Sequence, residues 1–173
     1  MPSDRMDQYD YIFDEYIYNV SDKYSKLIGS FIIKFSELEH ELNTAIADLS
    51  FDDCHEPGYL ITEKLSVRNK IDLFYRMCIE RSVYKGGNSK ERLKKIKVWF
   101  DSINTFRNNL VHANWLTLKK NGYVRIKFVV DSENGYIKFK SIKITPKIIR
   151  EKIREIEKRI NMIDEYKDDI LQL

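Results

Sequence analysis

The segment Phe106-Arg107-Asn108-Asn109-Leu110-Val111-His112-Ala113-Asn114-Trp115 concentrates hydrogen-bonding side chains at the end of an otherwise apolar-striped stretch. A guanidinium grips anionic oxygens in a fork. An imidazole moves protons near neutral pH, and a neighbouring polar group can hold it in one tautomer. On an ideal helix, at about 100° per residue, Asp101, Thr105, Asn108 and His112 form one polar stripe roughly opposite Ile103. Asn108, four residues before His112, is placed to set the ring's tautomer. Arg107 stands about 140° from His112 on the same helix. The two converge only if the helix bends or stops between them, or if two copies of the chain contribute. The spacing does not choose. Plainer roles are also open: Arg107 as a carbonyl cap or as partner to an acidic residue of 1–63, His112 as a helix terminator, and Trp115 as core or interface.

The other chemistry-bearing residues are scattered. His40, within Glu39-His40-Glu41, reads as part of a solvated helix face. Cys54-His55 is the one Cys/His adjacency, and no further Cys or His stands at ligand spacing, which argues against zinc. Gly86-Gly87 is a turn and not a phosphate loop. Nucleotide-loop, zinc-protease and Ser or Cys nucleophile motifs are absent. No metal and no cofactor are expected.

Arg107-Asn108-x-x-x-His112 resembles the R-x4-6-H signature of the HEPN superfamily, in the R-N-x-x-x-H form of RNA-guided CRISPR ribonucleases and many prokaryotic toxins. With 10 Arg, 11 Asn and 3 His in the chain, chance supplies the strict form roughly 0.01 times. The resemblance extends to the pattern of helices, with the motif closing the third main one. A weaker counterpart is Ser66-x-x-x-Lys70, a polar residue four before a basic one on the preceding helix; Asn109 is a further supporting candidate. The chain departs from the family at Asn114, where toxins paired with nucleotidyltransferases carry a tyrosine, and in an inserted β segment.

The resemblance implies a metal-independent endoribonuclease leaving 2′,3′-cyclic phosphate ends, in prokaryotic defence, a toxin-antitoxin pair or a stress response. RNA brings its own nucleophile, the 2′-hydroxyl. Arg107 would hold the scissile phosphate, His112 would act as acid and base, and Asn108 would orient. The family's sites lie at a homodimer interface, with Arg and His from both subunits. The alternatives are a non-catalytic HEPN-fold module that binds RNA, a nucleotide or a protein such as an antitoxin, and an RNA binder without chemistry.

The elements that must position these residues are mainly helical. Tyr24, Leu27, Ile28, Phe31, Ile32, Phe35, Leu38, Leu42, Ile46 and Leu49 recur at three-and-four spacing, which predicts a helix over 21–50. Residues 51–61 read as a loop with Pro57-Gly58 as its turn. Thr62 is expected to cap a helix over 63–82, and Ser89 one that carries Leu93, Ile96, Trp99, Phe100, Ile103, Phe106 and Leu110. After Ala113 the period becomes two. Trp115–Lys119, Tyr123–Val130 and Tyr136–Ile144 are expected strands, with Asn121-Gly122 and Asn134-Gly135 as hairpin turns. Thr145 followed by Pro146 predicts the start of a last helix over 146–171. The expected architecture is one domain over 1–173: an antiparallel four-helix-type bundle, HEPN-like, with a small antiparallel β-meander at 115–144 and an acidic, Tyr-rich arm at 1–20.

The 173 residues contain 6 Gly and 3 Pro, which favours long regular elements over a loop-rich sandwich. Apolar runs are too short for a membrane span. The acidic start does not suit a secretory signal, and two Cys make no disulfide scaffold. A cytoplasmic protein with no membrane partner is expected. The net charge of +3 hides a polarity: residues 1–63 are net −10, 64–160 net +16 and 161–173 net −3. Such asymmetry marks a polyanion partner, or halves that neutralise each other. Arg125 with Lys127, and Lys138 with Lys140, are expected to share faces of the meander, with aromatics between. The arm is a candidate polyanion mimic that inhibits its own chain.

Overall fold

In a computed structural model, residues 15–50, 55–82, 89–118, 122–130, 135 and 137–171 are described. Residues 1–14 of the arm, Cys54, Gly86-Gly87, Lys119-Lys120, Asn121 and Asn134 lie outside them. The fold is mainly helical with one two-stranded antiparallel sheet. Its elements are α1 (Glu15–Ser50), α2 (Glu56–Glu63), α3 (Val67–Ser82), α4 (Ser89–Val111), a 3-10 turn (Trp115–Thr117), β1 (Tyr123–Val130), β2 (Ile137–Lys143), α5 (Pro146–Arg159) and α6 (Met162–Leu171). Among the described residues no helix is long and apolar enough to cross a membrane.

Two compact units emerge. One comprises the described parts of Met1–Ile32 and Arg107–Ile153, the other Ile33–Phe106 and Arg154–Leu173; α1, α4 and α5 each contribute to both. In the first unit Tyr24, Phe31, Leu110, Leu118, Val124, Ile126, Ile144 and Ile149 are buried. The Tyr24 hydroxyl donates to the Ile144 carbonyl at 3.3 Å. In the second unit the buried stripes are Phe35, Leu38, Leu42, Ile46 and Leu49 of α1, Ile71, Phe74 and Cys78 of α3, and Leu93, Ile96, Phe100 and Ile103 of α4. These are the three-and-four positions of the sequence, and burial of that face is what holds such helices.

Four expectations are corrected. Residues 56–63 are a helix and not a loop. Pro57 stands in its first turn, where the missing N–H costs nothing. Gly58 packs against Ala47 of α1, and an added Cβ would come within 2.7 Å of the Ala47 Cβ. Second, Thr62 does not cap α3. It is buried within α2, its hydroxyl donating to the Tyr59 carbonyl at 3.1 Å, and Ser66 caps α3 instead.

Third, Trp115–Thr117 is a 3-10 turn, and among the described residues the sheet is a two-stranded hairpin in place of a three-stranded meander. Gly122 has φ +82°, and the described residues 115–118 before it form no strand. Its carbonyl accepts the Ile144 N–H at 2.6 Å, beyond the open end of the β1–β2 ladder. A register shift between Arg125 and Lys127 interrupts the alternation assumed for those two residues and sets Lys127 opposite Lys140. Fourth, the last helix breaks at Ile160-Asn161. The Asn161 carbonyl accepts the Glu165 N–H at 3.0 Å, so α6 starts afresh there. The start of α5 is as expected, with the Ile148 N–H bonded to the Thr145 hydroxyl at 3.3 Å.

Candidate functional site

Arg107, Asn108, Asn109 and His112 occupy the last turn of α4 and its end, all in the first unit. Leu110 points the other way and is 1% exposed, while neighbouring Val111 is 46% exposed. Asn108 and His112 are exposed, and Arg107 and Asn109 are half-buried. One apolar anchor thus holds the turn and leaves Asn108 and His112 towards solvent.

The turn is braced from beyond the helix. The Trp115 indole N–H donates to the Leu110 carbonyl at 3.0 Å, satisfying one of the carbonyls that a helix C-terminus leaves orphaned. The Trp115 ring lies 5.6 Å from that of Tyr24, tilted by 49°. The Asn114 carbonyl accepts the Thr117 hydroxyl at 2.7 Å and the Thr117 N–H at 3.2 Å. Trp115 is therefore a cap as well as a packing residue.

No bend or stop intervenes between Arg107 and His112. The His112 N–H still bonds the Asn108 carbonyl at 3.0 Å, the helical i→i−4 pattern. Within one chain the two side chains keep their separation of about 140° around the axis. Asn108 pairs with the other member of the motif: its side-chain oxygen accepts from Arg107 Nη1 at 3.1 Å. The exposed His112 ring thus stands beside an Arg–Asn couple, which it does not join through that oxygen.

Ser66 and Lys70 fall in the second unit. The Ser66 hydroxyl accepts the Asn69 N–H at 3.3 Å, an N-cap on α3. Lys70, with its side chain 7% exposed, donates to Glu39 Oε1 at 2.5 Å. Each residue has a local structural role.

Several other titratable groups of the second unit are tied up in pairs. Asp48 accepts Lys167 at 2.7 Å and lies 2.9 Å from His55 Nδ1. Burial works to lower the Lys167 pKa, but hydrogen bonds to Asp48 and Asp164 outweigh it and the net shift is upward. The hydrogen bond with Lys97 holds the Asp72 carboxyl below its ordinary range. Burial pushes the Cys78 thiol up to about 12. His40 is exposed, as its charged neighbours suggested. Among the described residues no group of three or more His, Cys, Asp or Glu could hold a metal ion.

Comparison with protein-family models, with curated proteins and with solved structures finds no match to this chain.

Proposed function

We propose that the chain is a metal-independent endoribonuclease of the HEPN kind, acting as a cytoplasmic homodimer in prokaryotic defence, a toxin-antitoxin pair or stress. One observation carries the reading: an unbroken, capped helix end presents an Arg–Asn couple and an exposed imidazole five residues apart. Since one helix keeps Arg107 and His112 on different faces, a composite site needs a second copy. A two-fold axis beside the α4 end supplies two arginines and two histidines, and C2 dimers are the commonest oligomers. The exposed Val111 beside His112 offers apolar area for that contact.

In this reading one imidazole takes the proton of the 2′-hydroxyl as its oxygen bonds to phosphorus. The P–O5′ bond breaks, and a second imidazolium gives its proton to the leaving 5′-oxygen. The guanidinium of Arg107 stabilises the charge that develops on the non-bridging oxygens. Asn108 orients Arg107 by their hydrogen bond.

The test is incubation of wild type, Arg107→Ala and His112→Ala with mixed RNA in EDTA, with product ends mapped. Cyclic-phosphate ends from wild type alone bear the proposal out. Cleavage that persists in His112→Ala, or that EDTA abolishes, sinks it. The second reading is a binding or regulatory module of the same fold, for RNA, a nucleotide or an antitoxin-like protein. Asn114, which stands where the toxins paired with nucleotidyltransferases carry tyrosine, argues against that toxin subgroup only. An RNA binder without chemistry would show salt-dependent RNA binding untouched by His112→Ala.

A further inference from the structure

The second unit carries an open trough of about 670 Å³ between α4 and the last turn of α5. Two i,i+4 ridges of α4 form one wall: Lys94–Val98–Ser102 and Lys95–Trp99. Arg159 of α5 faces them, its guanidinium 5.7 Å from the centre of the Trp99 ring.

The cations of this region divide by partner. Arg92 binds Glu165 and Asp169, at 3.2 and 2.6 Å. Lys97 binds Asp72 and Asp101, at 2.7 and 3.1 Å. Lys94 and Lys95 are exposed and have no carboxylate within ion-pair distance among the described residues. Their charges are available to a ligand. Glu91 and Glu155 also line the trough, so its three cations exceed its carboxylates by one. Exposed Lys90 and Lys158 stand next to it in sequence.

We propose that the trough is an additional nucleic-acid site, taking the phosphate backbone of a single-stranded RNA across Lys94 and Lys95. The open shape suits a chain passing over it better than an enclosed small molecule. One feature favours a nucleic acid over an acidic peptide. Arg159 lies on Trp99 with its side chain still 43% exposed, a backed guanidinium plane on which a base can stack. The choice of RNA rests on the ribonuclease reading; the basic trough itself does not.

The experiment uses the full chain carrying His112→Ala, so that RNA survives, with a labelled single strand of roughly 12 nucleotides. Anisotropy is read across a salt series. Lys94→Gln/Lys95→Gln is compared with Lys23→Gln/Lys26→Gln, an equal change of charge at exposed positions of α1. The trough pair is expected to bind about tenfold more weakly than the control pair, with the salt slope reduced by roughly 1.4, two contacts at about 0.7 each. Arg159→Gln is expected to weaken binding with a smaller change in slope. Equal affinities for the two lysine pairs overturn the proposal. So does adenosine monophosphate binding as tightly as the oligonucleotide, since the trough would then hold a nucleotide and not a chain. A trough effect in a protein that never cleaves RNA sinks the ribonuclease reading alone. Cleavage without a trough effect sinks the trough alone.

Discussion

Lys70 separates a catalytic role from an architectural one. Its side chain is 7% exposed and its ammonium bonded to Glu39 Oε1 at 2.5 Å, while the Glu39 side chain is 30% exposed. Removing one member of a buried ion pair strands the other. The two members are not equally placed to find water. Glu39→Gln leaves a nearly enclosed cation with only a neutral amide, at a cost of about 3 kcal/mol, or about 2 where water reaches the opened side. Lys70→Met removes the enclosed charge and fills the same space. The Glu39 carboxylate left behind hydrates, and the cost is about 0–1 kcal/mol. The asymmetry expected in urea unfolding is therefore about 2 kcal/mol, with Glu39→Gln the worse, and the double variant should resemble Lys70→Met. On the proposed ribonuclease reading, RNA cleavage read well below the unfolding midpoint should survive Lys70→Met. Greater destabilisation by Lys70→Met than by Glu39→Gln would refute the burial argument. Cleavage lost in a stably folded Lys70→Met would refute the structural role and return Lys70 to the site.

Other substitutions follow from the same packing. Gly58→Ala forces a methyl into Ala47, costing about 1–3 kcal/mol for overpacking against roughly 1 kcal/mol gained from helix propensity; a raised urea midpoint would mean that α2 does not press on α1 as described. Ser66→Ala should cost about 1 kcal/mol through loss of the α3 cap, with cleavage unchanged. Cys78 is buried with its thiol pKa pushed up to about 12, so at pH 8 only about one molecule in ten thousand carries the reactive thiolate. In Cys54→Ser, labelling by a disulfide reagent should be slow when native and fast in urea; rapid native labelling contradicts that burial. Deletion of residues 1–20 should tighten RNA binding if the acidic arm mimics a polyanion; unchanged affinity disproves self-inhibition.

The charge polarity of the sequence proves to have two components. Some of it is internal neutralisation: Lys70 of the basic stretch binds Glu39 of the acidic one, and Arg92 binds Glu165 and Asp169 of the acidic end. The rest stays on the surface, as at Lys94 and Lys95. The count of basic residues could not tell these apart. An ion pair depends on which side chains the fold brings within 4 Å, and those partners lie 31 to 77 residues away in sequence.

What the sequence by itself determined is what depends on neighbours a few residues apart. The apolar stripes of α1 and α4, the Thr145-Pro146 start of α5 and the place of Arg107-Asn108-x-x-x-His112 at a helix end are all set within one or two turns. Tertiary structure decided the rest. A segment with a Pro-Gly pair became α2 because Gly58 lets that helix close on Ala47. A stretch of strand-like residues at Trp115 became a 3-10 turn, where the indole reaches back to Leu110 and stacks near Tyr24. Ser66 and Lys70, paired by spacing in the sequence, serve as a cap and as the buried member of an ion pair with half-buried Glu39. The trough needed α5 to lay Arg159 over Trp99, a meeting that no local pattern encodes. Local periodicity fixes which face of a helix is apolar; only long-range packing fixes what that face, and each charge beside it, will meet.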